Sequence, residues 1–153
     1  MAAGEMALLG ARRYRARAEV ARLDYLRSLR EASSDLPQRQ LADALRISQA
    51  AVSKSLRTAR EVPAVREGFS GASPYEIVQR YAAGELTREQ LVDELGRWDY
   101  VPMPRTDGFD DLLIVPDGTF DEVRQGLSEG AIDAETYEEI RTRVRAHAAA
   151  SVS

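Results

Sequence analysis

The chain has 153 residues, no cysteine, a single histidine, 44% hydrophobic and 30% charged residues. That is a globular composition for one domain or two small ones, and it excludes disulfides, thiolate metal sites and a histidine-rich metal cage. The net charge of −4 is unevenly spread: residues 1–66 hold 13 Lys and Arg against 7 Asp and Glu, and residues 67–153 hold 8 against 18, so only one half suits a polyanion.

No apolar run approaches the roughly 18 residues of a membrane span. Met1–Gly10 has no positive flank ahead of its apolar residues, which argues against a secretory signal. The expectation is a cytoplasmic protein without membrane contact. Ala11–Ala32 is strongly helical in propensity and contains neither Gly nor Pro. Tyr14, Ala18, Ala21, Tyr25 (or Leu26) and Leu29 recur at helical spacing, with most arginines off that stripe. Ser33–Leu36 breaks the helix, and Pro37 suits the first turn of the next. Helices follow at Gln38–Arg46 and Gln49–Arg60, around a pause at Ile47–Ser48. Glu61–Ala72, with Pro63, Gly68 and Gly71, lacks strong periodicity. The chain therefore divides into 1–66, a linker at 67–72, and 73–148.

The second half restarts at Ser73-Pro74-Tyr75-Glu76, a capping box with proline at the first helical position. Its helix runs to about Ala83 and stops at Gly84. Thr87–Gln90 is a second capping box, opening a helix to about Arg97. Trp98–Gly108 is loop, broken by Pro102 and Pro104. Leu112–Val115 is a short strand or a buried extended segment. Thr119–Glu122 is a third capping box, its helix ends near Gly130, and Asp133 caps a last helix to about Ala148. Gly84–Leu91 matches Gly130–Tyr137: a glycine stop, an apolar plug, a Thr or Asp cap, then a large apolar residue. Ile77 and Tyr81 correspond to Val123 and Leu127. The pair is either an internal duplication or two well-capped hairpins that look alike. The expected fold is mainly α: an amino-terminal helix-turn-helix bundle and a small carboxy-terminal helical-hairpin domain with at most one short strand.

The segment that carries function is Gln38–Arg57. Leu41, Ala42 and Leu45 face inward from its first helix, and small Ala42 admits a close crossing. Ile47 plugs the turn, Ser48 caps the second helix, and Val52 and Leu56 form that helix's buried stripe. What remains exposed on it is Gln49, Ala50, Ser53, Lys54 and Arg57. Gln can bond adenine at two points, Arg or Lys can bond guanine, and Ala can touch a thymine methyl. No carboxylate intervenes from Gln49 to Arg60. Gln38 and Arg39 open the first helix, whose amino end favours anions.

On Leu41, Ala42, Ile47, Ser48, Gln49, Val52, Ser53 and Leu56 the segment resembles the helix-turn-helix of phage-repressor-type and related bacterial regulators. The resemblance implies a DNA-binding transcriptional regulator, a repressor by class, acting as a homodimer on double-stranded DNA and so associated with the nucleoid. That family usually has glycine in the turn where this chain has Arg46, which must adopt an unfavourable backbone angle or reshape the turn. An antitoxin is the alternative, with the acidic half neutralising a toxin.

In the acidic half, Asp107, Asp110, Asp111, Asp117, Asp121 and Glu122 cluster, but their spacing is not that of a calcium-binding loop. No nucleophile, second histidine or phosphate loop accompanies them, so neither an enzyme, a metal nor a cofactor is expected. Trp98, Tyr100 and Met103, with Asp110 and Asp111, are the candidates for binding a protein partner; Trp98–Pro104 also fits a plug of the core.

Overall fold

The computed structural model describes residues 2–104 and 115–152. Seven helices lie among them: α1 Ala3–Ala32, α2 Gln38–Leu45, α3 Gln49–Glu61, α4 Pro74–Ala82, α5 Arg88–Gly96, α6 Asp121–Ser128 and α7 Ala134–Val152. No strand occurs among the described residues, and the fold is mainly α. The expected strand at 112–115 falls outside them except for Val115, which is not in a strand. No helix among the described residues is long and apolar enough to cross a membrane. The chain divides into two compact units. A three-helix unit, Ala18–Ala64, holds the second half of α1 with α2 and α3. A hairpin unit comprises Met1–Arg17 and Val65–Ser153.

The three-helix unit is built on Leu29, Leu41, Ala42, Val52 and Leu56, with Ala32 and Leu36 packed against them. Leu26, Ala59 and Val62 extend that core, flanked by Leu23. Each fully buried Val or Leu contributes about 1.5–3 kcal/mol relative to exposure. Two arginines of α1 tie down the far end of α3. Arg30 Nη1 donates to the carbonyls of Ala59 at 2.7 Å and Val62 at 2.6 Å, and Arg27 Nε donates to Pro63 O at 3.0 Å. The Val62 and Pro63 carbonyls lie just past the end of α3, Ala59 O also takes the Val62 amide at 3.2 Å, and a cation there meets the negative end of the helix dipole.

The buried face of α1 matches the expected stripe only at Leu29 and at Leu26, the alternative to Tyr25. Ala16, Val20, Leu26 and Leu29 are buried, whereas Tyr14, Ala18, Ala21 and Tyr25 are exposed. The two stripes differ by a rotation of the helix, and in an Ala- and Arg-rich sequence the small residues mark either side equally well. α1 also begins at Ala3, eight residues ahead of the expected start at Ala11; nothing in residues 3–10 disfavours helix except Gly4 and Gly10.

The hairpin unit packs α4 against α6 and α5 against α7. Its core is Ile77, Val78, Leu91, Val92, Leu95, Trp98, Val123, Ile132, Tyr137 and Ile140. The two hairpins, α4–α5 and α6–α7, turn by the same bonds. Ala83, Gly84 and Glu85 donate to the carbonyls of Gln79, Tyr81 and Arg80; Glu129, Gly130 and Ala131 donate to those of Gln125, Leu127 and Gly126. Both glycines are left-handed, at φ 86° and 74°, which glycine adopts without penalty. Arginines of α1 cover both turns. Arg17 Nε donates to Ala83 O at 3.1 Å, Arg13 lies 2.6 Å from where a β-carbon on Gly84 would sit, and Arg12 lies 3.3 Å from the same point on Gly130.

The caps differ between the hairpins. Thr87 and Gln90 form the expected capping box on α5, and Asp133 accepts from the Thr136 amide at 2.7 Å to cap α7. Ser73 accepts from Glu76 N as expected, but the Glu76 carboxylate turns instead to the amide of Ala72 and the guanidinium of Arg80. Thr119 does not cap α6: Phe120 is the cap residue, with no side-chain bond, and the Thr119 hydroxyl is buried. Its neighbour Glu122 accepts from the amides of Gly118 and Tyr75. Segment 67–72, expected as a linker, belongs to the hairpin unit. Phe69 stacks edge-on against Trp98 with centroids 4.7 Å apart, Arg97 Nη2 donates to Gly68 O at 2.5 Å, and Glu94 accepts from Ser70 N. Polar and glycine-rich composition signalled a loop; its partners lie too far along the chain to be read locally.

Candidate nucleic-acid interface

The site is the α2–turn–α3 segment of the three-helix unit. α2 ends at Leu45, and Arg46 follows in the left-handed region at φ 56°, ψ 43°, its amide bonded to the carbonyls of Ala42 and Asp43. Among the described residues it is the sole non-glycine residue with positive φ. Arg46 therefore takes the unfavourable angle rather than reshaping the turn. Ser48 is extended and its side chain accepts from Ala51 N at 3.0 Å, starting α3. Leu41, Ala42, Val52 and Leu56 are buried as expected. Leu45 and Ile47 are not: they are 43% and 37% exposed. With Leu29 of α1 already filling the crossing, neither is needed to close it.

On α3 the positions Gln49, Ser53, Arg57 and Arg60 recur along one side of the helix, with Ala50 and Lys54 beside them. Gln49, Ala50, Lys54, Arg57 and Arg60 are exposed, and Ser53 is half-buried. At the start of α2, Arg39 is exposed and Gln38 half-buried. The cap residue of α2 is Pro37, which offers no side-chain bond to the first amides of the helix. α3, α4 and α5 all carry such a bond. Open amides at a helix start, beside a cation, suit an anion.

Charge accounting separates these residues from the other arginines of the unit. Arg22 pairs with Glu19 and Arg27 with Asp24, and Arg30 is spent on backbone carbonyls. Among the described residues, the side chains of Arg39, Arg46, Lys54, Arg57 and Arg60 have neither an ion pair nor a hydrogen bond. Arg46 and Arg60 were not among the residues expected to meet DNA. Arg60 was legible from its spacing to Arg57, but Arg46 stood out only as an irregular turn residue.

The partner-binding candidates are placed differently. Trp98 is 6% exposed, inside the hairpin core. Tyr100 is half-buried against that core and donates its hydroxyl to Leu95 O at 2.6 Å, and burial pushes its phenol well above the usual range. These two are plugs of the core: an aromatic with a polar tip buries well once that tip finds a carbonyl. Met103 is 41% exposed, and Asp110 and Asp111 lie outside the described residues. Among the described residues no cluster of three metal-ligating side chains occurs.

Comparison of the chain with protein-family models, with curated proteins and with solved structures found no match.

Proposed function

We propose that the chain is a sequence-specific DNA-binding regulator that lays α3 in the major groove and acts as a homodimer. The observation that carries this reading is the exposed face of α3. Gln49, Ala50, Lys54 and Arg57 stand there without side-chain partners among the described residues, on a helix fixed from below by Val52 and Leu56 and at its far end by Arg30. Unpartnered donors on a rigid helix are what base-edge readout requires. The uncapped start of α2, beside Arg39, supplies a phosphate contact that would set the register. One such module reads few base pairs, so two copies on half-sites about 34 Å apart are expected.

The test is selection of bound duplexes from a random pool at stated salt, followed by titration of the winner. A recurrent, two-fold-related sequence supports the reading. Failure to retain any duplex at low salt overturns it.

A further inference from the structure

A cavity of about 270 Å³ opens in the hairpin unit, lined by Ser70, Leu86, Gln90, Asp93, Glu94 and Arg97. The cation of its wall is already engaged. Arg97 gives Nε to Asp93 at 3.0 Å and Nη2 to Gly68 O at 2.5 Å, and its guanidinium lies 4.2 Å from the Phe69 ring centroid. Gln90 accepts from the Thr87 amide through Oε1 in the capping box. The wall also leaves buried acceptor capacity over. Glu94 is 6% exposed; one carboxylate oxygen accepts from Ser70 N at 2.5 Å, and the other, Oε2, is buried with no hydrogen-bond partner. A buried carboxylate with half its acceptors empty is costly. Among the described residues no ion pair offsets it: Arg97, the cation of the wall, is aimed at Asp93.

We infer that this cavity is a binding site for a small organic ammonium ion, with Glu94 as its counter-charge. The ammonium supplies the donors and the positive charge that Glu94 lacks, the remaining Asp93 oxygen gives a second acceptor, and Leu86 meets an apolar stem. Oε2 is screened from water in the empty cavity, so the carboxylate meets the ligand by turning about its last torsion, which is broad and soft. A bare metal ion fits less well. Two carboxylates fall short of the six or more oxygens that calcium takes, and among the described residues no third metal-ligating residue joins them. The volume sits below the roughly 300–1,000 Å³ of drug-sized pockets, which limits the ligand to a short chain.

The probe is butane-1,4-diamine, with butane-1,4-diol as its neutral counterpart, titrated into the full chain at 150 mM salt and followed by amide NMR and thermal unfolding. The diamine is expected to shift the Ser70 and Glu94 amides saturably and raise the melting temperature, and the diol to do neither. Glu94→Gln keeps an acceptor for Ser70 and removes the charge, and it is expected to weaken the diamine at least tenfold. Glu138→Gln, at an exposed carboxylate paired with Arg141, is expected to leave it unchanged. Equal response to the diol, equal loss in both variants, or no saturable shift of Ser70 in the wild-type chain each overturns the assignment. The last of these needs no variant and so holds even if Glu94→Gln fails to fold.

Discussion

In the hairpin unit, Arg66, Arg80, Arg88, Arg97, Arg124, Arg141 and Arg143 each meet a carboxylate, at distances from 2.7 to 3.9 Å. On α3 of the three-helix unit, Lys54, Arg57 and Arg60 meet none among the described residues. The same chemistry is consumed internally in one place and left open in another. A guanidinium already facing a carboxylate has little left for a phosphate or a base edge, because a competing ligand must first break the pair. Net charge alone hides this. The basic excess of residues 1–66 includes Arg22 and Arg27, which meet carboxylates, and Arg17 and Arg30, which are spent on backbone carbonyls; within the three-helix unit, only Arg39, Arg46 and the cations of α3 have no such partner among the described residues.

The comparison breaks most visibly at Arg80. Its guanidinium is 9% exposed and sits between Glu76 at 3.0 Å and Glu85 at 2.8 Å. Arg80→Ala leaves the Glu76 carboxylate buried without its cation, and is expected to cost about 3–5 kcal/mol, read as a lower denaturant midpoint. A midpoint unchanged from wild type would mean that the pair does not hold α4 in place.

Within the three-helix unit a matched pair sharpens the contrast. Arg30→Ala removes two charged hydrogen bonds to the end of α3 and is expected to cost about 1.5–3 kcal/mol of stability. Arg57→Ala is expected to change stability by no more than about 0.5 kcal/mol, yet to weaken binding to a selected duplex by about 1–3 kcal/mol if Arg57 reads a base. Equal loss on every duplex, with a shallower salt dependence, would make Arg57 a phosphate contact instead. Equal destabilisation by both variants would erase the distinction between bracing and open arginines.

Legibility followed the range of the interactions. Ser48, Thr87 and Asp133 were readable as caps because a cap binds an amide three residues away. Val52 and Leu56 were readable because helical periodicity places them together. Glu76, Thr119 and the bracing arginines were not. The Glu76 side chain has competing partners in Ala72 and Arg80. The role of Arg30 depends on where α3 ends, 29 residues along the chain. By composition Trp98 fits either a core plug or a partner surface, and its place in the hairpin core, edge-on to Phe69, decides between them. The open face of α3 was legible for the opposite reason: a side chain without partners depends on nothing distant.

Arg46 gives a smaller effect of reversed sign. Its left-handed backbone costs a non-glycine residue roughly 1–2 kcal/mol, part of which glycine returns in extra unfolded-state entropy. Arg46→Gly is therefore expected to raise stability by about 1 kcal/mol, seen as a higher melting temperature. If the side chain also serves DNA, the same variant binds a selected duplex more weakly while being more stable. A variant that is less stable than wild type would show that the Arg46 side chain braces the turn.

The finest distinction lies between the two hairpins, whose corresponding caps are a hydroxyl at Thr87 and a carboxylate at Asp133. Bonds from Thr136 hold the Asp133 carboxyl below its usual range, and the charge of Arg88 adds to this. A carboxyl depressed in the folded state binds its proton sooner in the unfolded chain. Its contribution is therefore complete above the ordinary carboxylate pKa and is lost as pH falls through the lower folded value. Asp133→Asn keeps a capping oxygen but cannot titrate. Its melting temperature is expected to fall less steeply than that of wild type as pH drops from 5 towards 2, with the two curves converging at the acid end. Thr87→Ala, at the uncharged cap, is expected to lower the curve by a similar amount at every pH. Parallel curves for Asp133→Asn and wild type would mean that the carboxylate caps α7 by geometry alone and that its charge adds nothing.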